Sequence, residues 1–517
     1  MLRAGLSALT VTTALVVFSP TAFAAKDIDP GDLLSMSLAE LSDISVTSVS
    51  KKAERADEAA AAIYVITAED IRRSGATAIP ELLRMVPGIT VTRAGSNDWT
   101  VTSRGSNDQF SNKLLVLMDG RTIYSPLFSG VIWDIQDTML EDIDRIEVIR
   151  GPGATLWGAN AVNGVINIIT KNARDTQGGF ASAAIGNQID GIGSVRYGGK
   201  IGEDSYLRTY AKQVAYDSEF ALSGATAGDS WKKRQAGFRS DSKISESGKL
   251  TVQGDVYALD SNADFIYPDL TSGTFASQTQ GLDSNGANVL LRWDERLAPD
   301  SDMSLQVYYD RTTRETVFFN DETNTADLDF QHVWTRWVAH EIVWGAGYRF
   351  VNSVNDPTSP QYALSPKTRN DNLFNAFVQD KITLHSDDLF LTLGSKFEKN
   401  DYTGVEVQPS ARLSWLPAEN QAVWASVPRA VHTPYRYTDD ATQLLGVLGG
   451  PLPVNFVGNR SLESEELIAY ELGYRIQPTK SLSFDVAAFY NDYDKLFHTS
   501  YGTIVTFLPI VVDNTGS

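Results

Sequence analysis

Residues 145–171 read "RIEVIRGPGATLWGANAVNGVINIITK", and how this stretch is read decides the fold. An apolar run ends at Arg150, a turn with Gly151, Gly153 and Gly158 follows, and a second apolar run, "GVINIIT", closes it. Glycines between two strands serve either a phosphate cradle or a close approach of backbones. A dinucleotide cradle needs Gly-x-Gly-x-x-Gly and then a helix whose amides face the phosphates. Gly151 and Gly153 fit, but Leu156 holds the third position and the chain returns as a strand. No Gly-Lys-Ser or Gly-Lys-Thr occurs, which excludes a Walker loop. The glycines therefore point to a small domain packed inside something larger.

The surroundings of this stretch agree with a compact α+β unit between about Ile63 and Lys171. "IYVIT" reads as a short strand, and Thr67 stands three residues before Asp70 as a capping-box variant, with Gly75 ending the helix. "AIPELLRMV" predicts a second helix that tolerates Pro80 in its first turn and stops at Pro87-Gly88. In "KLLVLMDGRTIY", Asp119-Gly120 between apolar runs signals a hairpin.

After about Gly178 the helical rhythm disappears. In "MSLQVYYDR", Met303, Leu305, Val307 and Tyr309 oppose Ser304, Gln306, Tyr308 and Asp310. "KLTVQGDVYAL" and "SLSFDVAAFYND" alternate in the same way, so each strand has one apolar face. Alternation alone leaves that face pointing at protein or at lipid. Strands of roughly ten residues and abundant aromatics favour an outer-membrane barrel, with 321–329 and 352–372 as long polar extracellular loops.

The N-terminus carries Arg3, an apolar core from Leu9 to Phe18, and "TAFAAKD", the pattern of a secretory signal cleaved near Ala24 or Ala25. No cysteine occurs, which excludes disulfides and thiolate metal sites. A net charge of −20 argues against nucleic-acid binding, which needs a basic surface. No G-x-S-x-G elbow or H-E-x-x-H zinc motif occurs, and His332, His340 and His432 read as packing or pore-lining. No catalytic residue, metal or cofactor is expected.

The opening stretch resembles the plug domain of TonB-dependent outer-membrane receptors, as do "IYVITAEDI", "IPELLRMVPGI" and "LLVLMDGRTIY" in the same order. Farther on, "NAFVQDKITL", "GSKFEKN", "PSARLSWLP" and "GNRSLESEELIAYELGYR" look like that family's barrel strands and the loop between them. The resemblance implies a transmembrane antiparallel β-barrel with an N-terminal α+β plug in its lumen, in the outer membrane of a Gram-negative bacterium. It assigns residues 1–24 to the signal peptide, 25–50 to an extension with the TonB box, 51–175 to the plug and 178–517 to the barrel.

The function implied is import of a scarce nutrient, most often a ferric siderophore, with cobalamin, haem or carbohydrate as other cargoes. A receptor or adhesin whose plug never moves is the alternative from another class. The partners implied are TonB with its inner-membrane energising complex, a small-molecule or metal-chelate ligand, and outer-membrane lipid. The TonB box matches Ile44, Ser45, Val46, Thr47, Ser48 and Val49, β-branched in part and suited to pairing with a strand of TonB; otherwise this is simply a first plug strand. Family members latch plug arginines to barrel glutamates, which matches Arg104 and Arg150 here with Glu471 and Glu406. Plug loops that would meet ligand carry Trp99, Asp108, Phe110, Tyr124, Phe128 and Trp133. The family's barrel has 22 strands. About 340 residues remain after the plug, so an incomplete barrel of roughly 14 to 17 strands is expected.

Overall fold

The computed structural model describes residues 45–516 apart from 53, 57–58, 106–110, 221–223, 270–271, 386–387, 419, 449–451, 480–481 and 502–506. The signal peptide, Ile44, Asp108 and Phe110 lie outside the described residues.

The N-terminal unit is built on a five-stranded mixed sheet in the order Ala62–Thr67, Ile143–Arg150, Gly164–Thr170, Leu114–Met118, Arg121–Thr122. Ile143–Arg150 runs antiparallel to both neighbours, while Gly164–Thr170 runs parallel to Leu114–Met118. Apolar side chains cover both faces: Ile66, Ile146, Val148 and Ile166 lie in one buried cluster, Ile63, Leu115, Leu117 and Val165 in another. The capping box forms as expected, Thr67 accepting from the Asp70 amide and Asp70 from the Thr67 amide, before the helix Ala68–Ser74. The second helix is shorter than the sequence suggests, one turn at Ile79–Leu82 continued as a tight turn Leu83–Met85. In the opening stretch the glycine-rich turn holds a helical turn, Ala154–Trp157.

From Gly178 to Asp494 the described residues form a fifteen-stranded antiparallel sheet whose neighbours follow chain order. Its end strands, Gly178–Ala184 and Leu482–Asp494, are not paired with each other among the described residues. The direction of the apolar face is now plain. Val256, Val307, Tyr309, Phe484 and Val486 are exposed on the outside, whereas Lys212, Lys233, Gln306 and Tyr308 are buried against the N-terminal unit. A sandwich would bury its apolar face; this sheet turns it outward, as hydrocarbon requires.

Apart from Gly178–Ala184, with 7 residues, the strands of this sheet exceed ten residues, reaching 22 at Gly248–Asp269 and 25 at Thr274–Ala298. Residues 321–329, expected as a loop, lie inside the strand Phe319–Trp337, and most of 352–372 is strand on either side of a short connection. About 9–11 tilted residues cross the hydrocarbon, so these strands project well beyond it. Beyond the hydrocarbon both faces may be polar, and alternation no longer marks the strand. Above the strand ends a second five-stranded sheet, Tyr362–Leu364, Ala441–Leu448, Leu452–Val457, Leu508–Gly516 and Leu496–Tyr501, forms a cap that the sequence analysis did not foresee.

Of the three glycines in the glycine-rich turn, Gly151 and Gly158 are contact points with the wall, while Gly153 packs on Val165 within the unit. Gly151 has φ +115 and Gly158 φ +90, conformations an L side chain rarely adopts. A Cβ at Gly151 would overlap the Glu471 carboxylate, and one at Gly158 the Glu398 carboxylate. Gly158→Ala is therefore expected to loosen the N-terminal unit by about 2 kcal/mol, measured as a lower urea midpoint for protease sensitivity of that unit.

Candidate functional site

The sequence puts polar and charged residues on the inner face of the wall, and the plug meets them with charges of its own. Lys51 pairs with Asp329, Lys113 with Glu465, Arg121 with Asp310, and Lys52 with Glu341. In the opposite sense, Asp134 pairs with Arg314, Asp137 with Lys212, and the buried Asp142 with Arg196. Barrel cations also donate to plug carbonyls: Lys233 Nζ to Ile135 O at 2.6 Å and Arg475 Nη1 to Ala56 O at 2.8 Å.

Of the four residues expected to form the latch, two come together. Arg104 Nη1 donates to Glu471 Oε1, with both side chains only 6% exposed, and its guanidinium lies 3.9 Å from the Phe489 ring centroid. Ser426 Oγ donates to the other Glu471 oxygen at 2.9 Å. Arg150 instead donates to Pro87 O at 3.0 Å within the plug. Glu406 accepts from Thr403 Oγ1 at 2.8 Å and Ser464 Oγ at 2.6 Å, away from both plug arginines. Its cross-strand neighbour Glu398 meets the plug instead, accepting from Ala159 N at 2.7 Å and from Gln408 Nε2 at 2.6 Å. Glu398 stands in "GSKFEKN", but a carboxylate that binds a backbone amide leaves no charged partner in the sequence to point at it.

The segment matched to the TonB box lies docked on the plug. Ser45–Val46 pairs antiparallel with Glu54–Arg55, so the alternative of a first plug strand describes its folded position. Val46 and Val49 are buried in the same cluster as Ile63, Leu117 and Val165. One carboxylate holds the turn that follows. Glu147, fully buried, accepts from Thr47 N at 2.9 Å, Ser48 N at 2.8 Å and Ser48 Oγ at 2.5 Å, and is balanced by Arg145 Nε at 2.8 Å. An acid inside the apolar run "RIEVIR" was the available signal for this anchor. Trp157 Nε1 donates to Ser48 O at 2.7 Å and Arg412 Nη1 to Val49 O at 3.2 Å.

The aromatic residues proposed as ligand contacts divide by burial. Trp99 and Trp133 are 8% and 7% exposed and belong to the plug core, where an indole's area contributes most by packing. Tyr124 and Phe128 are half-buried near the plug tip, and Tyr124 lines a cavity beneath the cap. At the tip, Leu127 enters an apolar cluster with Tyr362, Leu364, Phe456 and Val512 of the cap. Arg436 N donates to Pro126 O at 3.3 Å and Tyr437 N to Leu127 O at 3.0 Å, tying the loop helix Arg436–Asp440 to the tip.

Comparison with known proteins matches this geometry to two adjoining family models. The TonB-dependent Receptor Plug Domain covers residues 55–165, and the TonB dependent receptor-like, beta-barrel model covers residues 169–516. The chain belongs to the TonB-dependent receptor family. The receptor is thus a protein of the Gram-negative outer membrane. It is 31% identical to the vitamin B12 transporter BtuB of Vibrio cholerae over 42% of its own length and 34% of the transporter's, so the match spans about a third of that relative. It is 24% identical to the ferric enterobactin receptor PirA of Pseudomonas aeruginosa over 81% of the chain and 66% of that receptor. Among solved structures, the siderophore receptor PirA from Pseudomonas aeruginosa shares its fold with a TM-score of 0.67 at 19% identity, covering 88% of this chain and 79% of that one.

Arg104→Ala leaves the Glu471 carboxylate buried without its cation, which should cost the receptor about 3 kcal/mol of plug retention; Arg150→Ala should cost less, and urea-induced exposure of the plug to protease measures both. Glu147→Gln replaces an acceptor of several hydrogen bonds by a group that also donates. It should weaken docking of residues 45–49 by about 2 kcal/mol, read as faster hydrogen exchange of the Thr47 and Ser48 amides.

Proposed function

We propose that the receptor imports a scarce nutrient across the outer membrane, a ferric siderophore being the leading cargo, by a plug rearrangement that TonB drives through residues 44–49. The observation that carries the reading is the way residues 45–49 are held. Two apolar side chains and one carboxylate dock residues 45–49 on the plug, and among the described residues the ladder has two residue pairs that a partner strand can replace. Strand addition supplies backbone hydrogen bonds to such a segment whatever its side chains. A wall-to-plug interface made of charge-assisted hydrogen bonds also suits movement, because desolvation offsets much of what each pair contributes. The siderophore assignment is favoured over cobalamin because the likeness to PirA runs through 81% of the chain, whereas the likenesses to BtuB of Vibrio cholerae and of Photobacterium profundum run through 42% and 62% of it.

Proline at position 46 cannot donate to a ladder. Val46→Pro is expected to abolish binding of a purified TonB C-terminal domain and to lower uptake of a radiolabelled ferric siderophore at least tenfold, with surface binding of the chelate retained. Uptake unchanged by the substitution would remove the drive through residues 44–49, and absence of uptake by the unsubstituted receptor would leave a receptor or adhesin with a static plug. Saturable uptake of cobalamin alone would reassign the cargo.

A further inference from the structure

The chain leaves the wall at His432, the last residue of the strand Gln421–His432, and returns at Glu465, the first of Glu465–Thr479. The two residues lie opposite each other in the sheet. Between them run the loop helix and two cap strands, Ala441–Leu448 and Leu452–Val457. The pair therefore closes the base of the segment that carries much of the cap. On the outer face at this level Glu466 pairs with Arg429 and Lys495, so the joint stands beyond the hydrocarbon, which does not accept such charges.

One carboxylate serves three elements there. Glu465 Oε2 accepts from His432 Nδ1 at 2.8 Å and pairs with Nζ of the plug's Lys113, also at 2.8 Å, while Glu465 Oε1 accepts from Phe497 N of the cap at 2.8 Å. The carboxylate fixes the tautomer: Nδ1 carries the hydrogen, and Nε2 is left as a lone pair. That Nε2 has no hydrogen-bond partner among the described residues. The imidazole is 1% exposed, with the rings of Tyr435 and Phe497 packed on it at 5.8 and 5.7 Å between centroids. The titratable groups that face it are Glu465 from the neighbouring strand, Lys113 from the plug and Tyr435 from the loop. Tyr493, on Leu482–Asp494, lies within range of the Glu465 charge.

A proton at Nε2 changes two things at once. It makes an N–H donor with no acceptor in a site closed to water, and it sets an imidazolium and an ammonium against a single carboxylate oxygen. Burial already holds the His432 pKa below the usual imidazole value, the hydrogen bond to Glu465 opposing it. A group depressed in this way lends its full stabilisation above its unfolded value, about 6.5, and loses it as the pH falls through its folded one. What is lost bears on the cap. Thr433 N, next in the chain, donates to Asn160 Oδ1 of the plug at 3.2 Å, and Tyr437 N to Leu127 O of the plug tip at 3.0 Å.

We propose that His432 is a proton-operated catch: neutral, it fastens the base of the cap to Glu465 and the plug; protonated, it frees the cap from the plug tip. Thr433 and Tyr435 line the cavity beneath the cap together with Tyr124, so release opens that cavity to the outside. The purpose of the catch, admission of cargo in acidic surroundings, rests on the import reading. The response to protons does not, and it can be measured without cargo.

Hydrogen exchange of the whole receptor in detergent micelles, corrected for the intrinsic pH dependence of exchange, tests the catch. Between about pH 7.5 and about pH 5, the range in which histidine changes charge, protection of the Thr433 and Tyr437 amides should fall at least tenfold. Protection of Val148 and Ile166 in the plug sheet should hold. His432→Gln, which keeps a donor for Glu465 and takes up no proton, should abolish the fall. Lys113→Gln, which keeps His432 but removes the second cation, should make it smaller. No fall in the unsubstituted receptor, an equal fall in either variant, or an equal fall at Val148 and Ile166 would each overturn the catch, the last by showing a plug loosened as a whole. A catch that fails with siderophore uptake intact leaves the import reading standing. Absence of uptake removes the purpose and leaves the exchange result as it is.

Discussion

The structure depends on a constraint imposed from outside: hydrocarbon accepts only apolar side chains on the outer face of the sheet. Strand periodicity then assigns the remaining side chains to the lumen, and these are the polar and charged ones. The plug therefore cannot be held as a globular core is held. Its own apolar residues are consumed on the two faces of its sheet, and its surface meets the wall through ion pairs and hydrogen bonds such as Arg104–Glu471, Asp134–Arg314 and Ala159–Glu398. Each buried pair gains attraction and loses hydration in similar amounts. Many such contacts specify one seat for the plug without making departure from it prohibitive.

The same balance governs the short segment ahead of the plug. Val46 and Val49 supply apolar burial and Glu147 supplies acceptors for two backbone amides, so the segment is ordered while tied by few bonds. Folded position and partner recognition then draw on the same backbone groups. A strand that pairs with residues 45 and 46 competes with Glu54 and Arg55 for them.

Much of this was legible in the sequence because it follows from local rules. The Asp119-Gly120 hairpin, the Thr67–Asp70 capping box and the period-two faces all appear where the residues place them. The glycines of the opening stretch were legible as a need for close approach, and what approaches Gly151 and Gly158 proves to be carboxylate, Glu471 and Glu398. Strand length was not legible, because beyond the membrane neither face is obliged to be apolar and 321–329 reads like a loop. The cap was missed for a related reason: two of its four pairings join strands far apart in sequence, as Tyr362 with Gln443 and Val454 with Leu508. Pairing of Arg150 and Glu406 across the interface failed because residue type alone does not specify a partner. The Pro87 carbonyl takes a guanidinium nitrogen of Arg150, and the hydroxyls of Thr403 and Ser464 donate to Glu406. Trp99 and Trp133 show the ambiguity of aromatics, since the same rings that could meet a ligand complete a core.

The contact between plug tip and cap carries one more consequence. Leu127 fills an apolar cluster drawn from four cap strands, and the backbone of Pro126 and Leu127 accepts from the loop helix. By thermodynamic reciprocity, any agent that pries the cap from Leu127 must weaken the plug's seat by the same free energy that the plug's departure withdraws from the cap. The outer and inner ends of the receptor are in this sense weighed on one balance, with a single leucine near its pivot.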